Sequence, residues 1–416
     1  MNAPTLAEIT RIFARIGLMS FGGPAAQIAV MHRELVEDRP WLTEDQFLRA
    51  LSFCMLLPGP EAMQLCTYAG WRLKGVTGGL IAGLLFVLPG AAVMLALALA
   101  YATWGTLPTI EAIFLGIKAT VVIVVLQALA KLAKKTLHQR DRWVIATLSF
   151  IALYGFAAPF PAVIGLAAAY GALTASGTTE PAPRPKAAAT LRATLTWGVL
   201  WAAPIAAAWA TGAQTLTQIG LFFSKLAVVT FGGAYAVLAY MTQEVVTRHG
   251  WLTTAQMMDG LGLAETTPGP LILVTEFVGF LAGFGAGGVG LALAATAMTL
   301  WVTFVPCFLW IFAAAPHVEW LTTRPRLKGA LSAITAAVVG VIANLSLWFA
   351  LHVFFAEVTK ARAPLAAAFP IPASLDLTAL VLAALAAVLL VPFKRPLLLT
   401  LALMGGAGWL AGVLTI

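Results

Sequence analysis

Charge is what this sequence has least of. Only 10% of its 416 residues are Asp, Glu, Lys or Arg, against about 25% in a soluble domain, so no water-facing surface can be built from it. Nucleotide chemistry is missing too. There is no P-loop, no GxGxxG in a βαβ setting and no metal-spaced histidine cluster, so neither a cofactor nor a metal site is expected. The five histidines (His32, His138, His249, His317 and His352) fall in or near loops. The three cysteines, Cys54, Cys66 and Cys307, have no CxxC or ligand spacing and read as small core residues. The first seventeen residues contain Glu8, Arg11 and Arg15 and no long apolar core, which does not describe a cleaved signal peptide.

What is abundant is apolar length. The chain is 61% hydrophobic, with a mean hydropathy of +0.92. Runs of about 20 apolar residues recur throughout, the length of a membrane-crossing helix. In lipid these must be helices, because backbone polar groups can be satisfied only internally. Candidate spans are 6–31, 47–73, 78–103, 110–132, 143–156, 160–174, 195–211, 218–243, 256–283, 288–314, 331–355, 377–392 and 397–415. The net charge of +8 is concentrated in alternate short loops, so it sets orientation and does not point to nucleic acid. Arg72 and Lys74, the cluster Lys131–Arg142, Arg184 and Lys186, Arg248, the group Arg324–Lys328, and Lys394 and Arg395 all fall on one side. The positive-inside rule then puts the N-terminus in the cytoplasm and the C-terminus outside. The expected fold is an all-α polytopic membrane protein of about thirteen transmembrane helices.

A shift of 210 residues aligns the chain with itself without a gap. Phe21-Gly22-Gly23 falls on Phe231-Gly232-Gly233, Trp41-Leu42-Thr43 on Trp251-Leu252-Thr253, and Pro58-Gly59-Pro60 on Pro268-Gly269-Pro270. Between Ser20 and Pro60, 16 of 41 positions are identical to their partners. The expected organisation is a first repeat (1–175), a polar Pro-rich linker (176–194), an unmatched connecting helix (195–211) and a second repeat (212–416). An odd helix between the copies would make the second enter the membrane from the opposite side. Inverted repeats with broken helices are a recurrent architecture of secondary transporters.

Each copy carries two places where a helix should break. In Pro58-Gly59-Pro60 and Pro268-Gly269-Pro270, two prolines remove amide donors and push the preceding residues out of helical geometry. At Gly22, Gly23 and Pro24, and again at Gly232 and Gly233, glycines permit a sharp turn. Helices restarting there present unpaired amides and a partial positive charge inside the protein, which favours an anion over a cation. Neutral donors lie close by: Ser20, Gln27 and Gln64 in one copy, Thr230 and Thr267 in the other. Arg15 and Lys225, equivalent under the shift, either snorkel to the interfaces or face the anion. Lys118 either snorkels or pairs with Glu111. Glu61 and Glu265 flank the Pro-Gly-Pro breaks and are the candidate proton-coupling carboxylates, with Glu276 farther along the second helix.

Ser20-Phe21-Gly22-Gly23-Pro24 with Gln27, His32-Arg33-Glu34-Leu35, Trp41-Leu42 and Cys54–Ala62 with Gln64-Leu65 resemble the chromate ion transporter family. So do Phe231–Tyr235, Gly250-Trp251-Leu252 and Thr267–Pro270. The resemblance spans essentially the whole chain and matches the long, two-domain members. It implies a bacterial inner-membrane protein that exports chromate and confers chromate resistance, with a link to sulfate. Competing expectations are an exchanger or importer of sulfate or another oxyanion and, farther off, a membrane enzyme acting on a lipid phosphate. Membrane lipid is the expected surrounding, no nucleic acid partner is expected, and the sequence leaves a homodimer open.

Overall fold

The computed structural model describes residues 4–177, 187–231, 234–322, 324–361 and 365–415. Gly232, Gly233 and linker residues 178–186 lie outside the described residues. The chain is helical almost throughout. In order come α1 (Leu6–Met19), α2 (Gly23–His32), α3 (Glu44–Cys54), α4 (Glu61–Trp104), α5 (Pro108–Thr136), α6 (Arg140–Phe156), α7 (Phe160–Thr174) and α8 (Ala187–Ala210). They are followed by α9 (Gln214–Val229), α10 (Ala234–Gln243), α11 (Thr254–Thr266), α12 (Val274–Ala314), α13 (Val318–Thr322), α14 (Pro325–Phe354), α15 (Leu377–Leu390) and α16 (Leu397–Thr415).

Among the described residues, six segments are long and apolar enough to cross a membrane: 61–104, 108–136, 190–210, 271–317, 325–354 and 397–414. Two of these are folded back on themselves. α4 turns at Lys74–Gly75 and α12 at Gly287–Gly288, where the backbone leaves helical geometry. Gly70 then lies against Gly78, and Gly279 against Thr299, so each element is an antiparallel helical hairpin. The first arm of α4, residues 61–73, rises only about 20 Å at 1.5 Å per residue, short of the roughly 30 Å hydrocarbon core. The expected spans 6–31, 47–73, 218–243 and 256–283 are likewise interrupted, at Ser20–Gly22, Met55–Pro60, Thr230–Phe231 and Thr267–Pro270.

Lipid-facing character is written on the surface. Leu166, Leu173, Leu195, Val199 and Trp209 are all exposed, as are many other large apolar side chains. A soluble monomer rarely tolerates so much contiguous apolar surface. The all-α expectation needs one addition. Val358–Lys360 pairs antiparallel with Ala368–Pro370 in a two-stranded ribbon, and the Tyr154 hydroxyl donates to the Ala368 carbonyl. Strands of three residues carry too little alternation to be read from sequence.

The chain forms two compact units, and neither coincides with one repeat. The first comprises 1–99, 177–237 and 267–324; the second comprises 100–176, 238–266 and 325–416. Each unit therefore draws on both halves of the sequence. In the second, α14 packs on α5, α6 and α7, while α5 also meets α11, α15 and α16. Small residues allow these approaches, as is usual where lipid supplies no hydrophobic drive between helices. Gly171 and Gly329 each face the other's carbonyl oxygen, and Gly340 sits on the Ala146 carbonyl.

Inside the second unit lies a buried ionic cluster. Lys118 Nζ is 3.2 Å from Asp259 Oδ1, and the Tyr101 hydroxyl donates to Asp259 Oδ2 at 2.7 Å. The partner of Lys118 is thus Asp259, with neither snorkelling nor a Glu111 pair required. The sequence could not show this, because the two residues are 141 positions apart.

Two outcomes are expected. Gly340→Leu should lower stability by about 1–3 kcal/mol through overpacking, read as a fall in the thermal midpoint in detergent. Gly165→Leu, where a side chain meets open space, should leave that midpoint in place. Lys118→Met should cost about 3–5 kcal/mol by leaving Asp259 buried without its cation. Adding Asp259→Leu should restore much of that loss in the same assay.

Candidate functional site

The helix breaks of the first unit are paired across the repeats. α1 ends at Ser20, whose hydroxyl donates to the Ile16 carbonyl at 2.6 Å. The backbone then turns through Gly22 (φ 86°), and α2 starts at Gly23 with Pro24 in its first turn. In the other copy α9 ends at Thr230, and its hydroxyl bonds the Leu226 carbonyl at the same 2.6 Å. Both Pro-Gly-Pro turns place their glycine at positive φ, 121° at Gly59 and 82° at Gly269, where a side chain would be strained.

Two equivalent hydrogen bonds join these turns. Gly59 N–H donates to the Thr230 carbonyl at 2.8 Å, and Gly269 N–H donates to the Ser20 carbonyl at 2.8 Å. The two bonds map onto each other under the 210-residue shift. Each Pro-Gly-Pro turn of one copy is therefore anchored on the Phe-Gly-Gly turn of the other. Gln27 Nε2 adds a third bond, to the Gly269 carbonyl at 2.7 Å. Gln64 Nε2 closes its own turn on the Pro58 carbonyl at 2.6 Å. Three of the groups that a broken helix would leave unsatisfied in an apolar interior, the Gly59 and Gly269 amides and the Gly269 carbonyl, are met from the opposite copy.

This accounts for four of the predicted donors. Ser20, Gln27, Gln64 and Thr230 all donate to main-chain carbonyls at or beside the breaks. α2 begins without a side-chain cap, so the amides of Gly23 and Ala25 have no partner within the helix. The two copies differ in access. Gly23, Pro24, Pro58, Pro60 and Glu61 are half-buried, whereas everything from Thr267 to Gly283 is buried.

Past the breaks, both copies turn the same corner. A π-helical turn at Arg33–Glu37 recurs at Glu244–Arg248. Trp41 N–H then bonds the Leu35 carbonyl and Trp251 N–H the Val245 carbonyl, each 210 residues apart. Capping pairs Thr43/Gln46 and Thr253/Gln256 also repeat. Within the first corner Glu34 is fully buried, 3.3 Å from Arg15 Nε and 2.6 Å from Arg39 Nη1. Arg15 is thus half-exposed and paired with an acid. His32 bridges Glu44 at 2.6 Å and Glu37 at 3.0 Å, and the Glu44 hydrogen bond holds its imidazole above the ordinary value.

The remaining sequence candidates separate. Glu61, Glu265 and Lys225 all have interaction partners. Glu265 closes α11 and belongs to the second unit, while Glu61 and Lys225 belong to the first. Sequence reasoning missed Glu34, although its identity with Glu244 under the shift was a usable signal. It also ranked Glu276 below Glu61 and Glu265. Yet Glu276 is 1% exposed, and neither carboxylate oxygen has a hydrogen-bond partner. Among the described residues no group of three or more His, Cys, Asp or Glu side chains is placed to hold a metal ion.

The family model for chromate transporters matches residues 7–172 and 217–409, most of both repeats. The chain belongs to the chromate transporter family. A chromate transport protein of Pseudomonas aeruginosa is 35% identical over 359 residues, covering 85% of this chain and 81% of that one. One from Cupriavidus metallidurans is 31% identical, with 81% of each chain covered. An uncharacterised transporter of Methanocaldococcus jannaschii is 27% identical over 85% of this chain and 86% of its own length. No solved structure matches this member of the chromate transporter family.

The crossed turns should be sensitive to their glycines. Gly269→Ala is expected to cost about 1–3 kcal/mol, from backbone strain at positive φ, and to lower substrate flux. Gly285→Ala, which meets nothing within 4 Å, serves as the control in both thermal unfolding and transport.

Proposed function

We propose that this chain is a secondary transporter that carries chromate, with the oxyanion received at the crossed helix breaks of the first unit. The observation that carries the reading is the pair of equivalent bonds, Gly59 to Thr230 and Gly269 to Ser20. They hold broken helices from both repeats against each other, the setting in which transporters form midplane substrate sites. Gly22, Gly23, Pro24, Pro58, Pro60, Thr267, Pro268 and Pro270 shape that setting. Helix starts offer main-chain donors and about half a positive charge each, which suits a tetrahedral oxyanion better than a cation. Being named for chromate, the relatives from Pseudomonas and Cupriavidus favour that ion. Sulfate, of similar size and charge, is its natural competitor.

Transport, and not catalysis, fits the repeat: residues 1–175 and 212–416 as inverted copies, joined through 176–194 and the unmatched helix 195–211. The proposed setting is the bacterial inner membrane, with the N-terminus cytoplasmic and the C-terminus periplasmic. Export is the favoured direction on electrostatic grounds. A potential of 100 mV, inside negative, is worth about 2.3 kcal/mol per elementary charge, so moving a dianion outward releases roughly twice that. Chromate resistance would follow from the lowered internal concentration.

Proteoliposomes containing the full chain should take up chromate saturably, with inhibition by sulfate and less by molybdate, and faster when the potential draws anions. Cells expressing it should accumulate less chromate than controls. Uptake equal to that of protein-free vesicles for all three oxyanions would defeat the reading.

A further inference from the structure

Glu276 is the one carboxylate among the described residues whose two oxygens are both buried without a hydrogen-bond partner. It sits in the first turn of α12, six residues beyond Pro270, on the arm that leaves the second Pro-Gly-Pro break. Opposite it runs the returning arm of the same hairpin. Gly279 faces Thr299 there, and Gly283 faces Ala295. Continuing that register by one turn brings position 276 level with Val302 and Thr303. The hydroxyls of Thr296, Thr299 and Thr303 are buried and also lack partners. Spaced three and four residues apart, they share one face of their helix. A line of unpartnered hydroxyls thus leads along the hairpin interior to an unpartnered acid.

Among the described residues no cation forms an ion pair with that acid. The elements packed against α12 bring Lys225 on α9, Arg192 on α8 and His317, whose ring is bonded to Thr190. Against the returning arm lies α4, with Phe308 and Phe312 on its glycines; it carries Glu61, Cys66, Arg72 and Lys74. On its own hairpin the other ionisable group is Cys307, which bonds the Thr303 carbonyl. None of these pairs with Glu276. Burying a charge without donor or cation is costly, and a bound proton removes that charge. An anionic Glu276 would also repel a dianion entering the same unit, whereas a neutral carboxyl would not.

We propose that Glu276 is a proton-binding site whose occupancy is coupled to the oxyanion, so that one proton enters and leaves with each dianion. This rests on the transport reading above. The proton comes from water on whichever side the unit opens to, with the hydroxyls of Thr303, Thr299 and Thr296 as its relay. Net outward charge per cycle falls from two to one.

Infrared spectra and vesicle flux test the two halves separately. In membranes holding the full chain, a protonated-carboxyl band should be present at neutral pH, titrate away in alkali, and be missing in Glu276→Gln. A wild-type spectrum matching that of Glu276→Gln, or a band that does not titrate, overturns the proposal without touching the transport reading. In proteoliposomes with an internal pH dye, the wild type should move protons with chromate. Its apparent chromate affinity should fall about tenfold per pH unit once Glu276 ionises. Glu276→Gln, a mimic of the neutral acid, should still move chromate with no proton movement and a flat pH profile. Proton movement equal to wild type in Glu276→Gln overturns the proposal, as does a requirement for sodium in place of protons. If Glu276→Gln moves no chromate, tryptophan-monitored chromate binding decides: affinity independent of pH supports the site, and a wild-type profile overturns it. A wild type that moves no oxyanion fails the transport reading, and the infrared titration still decides the proton site.

Discussion

The need to satisfy backbone polar groups away from water governs this molecule. A membrane helix can be broken only if the freed amides and carbonyls find partners. Here the partners are other breaks: Gly59 N–H meets the Thr230 carbonyl and Gly269 N–H meets the Ser20 carbonyl. The glycine amide of neither turn is satisfied by its own copy, so each repeat needs the other to pair that group. That dependence gives a physical reason for a duplicated chain to fold with its halves interleaved, as the composition of the two compact units records.

Polar side chains in the first unit divide by whether they are satisfied. Ser20, Thr230, Gln27 and Gln64 donate to main-chain carbonyls, and Glu34 accepts a hydrogen bond from Arg39 and is ion-paired with Arg15. These groups rigidify. Glu276 and the threonines of the returning arm are left without partners. Unpaired buried polar groups are costly, and here four of them lie on the two arms of one hairpin. The contrast with Lys118, Asp259 and Tyr101 in the second unit is instructive, since there an equally buried acid has both a cation and a phenol.

Much of this was legible before any coordinates. Helix breaks at Phe21-Gly22-Gly23 and at both Pro-Gly-Pro motifs follow from the chemistry of proline and glycine, and the structure places them there. Burial of all three cysteines also follows from their apolar neighbours. Less legible were partners distant in sequence. Arg15 offered a choice between interface and anion, and the structure adds an ion pair with Glu34. Lys118 had an obvious acid at Glu111, yet it reaches Asp259. Glu276 looked secondary because it lies off the motif, and only packing reveals that neither of its oxygens has a hydrogen-bond partner.

Composition, hydropathy and the 210-residue shift by themselves determined the class of protein, its duplication and the positions of its broken helices. Those properties are set residue by residue, through transfer to lipid and through backbone conformational limits that hold in any context. Tertiary structure alone decided which break anchors which, which charges are neutralised and which acid is left bare. Those are properties of pairs far apart along the chain, and a pair interaction exists only once folding has fixed the distance between its members.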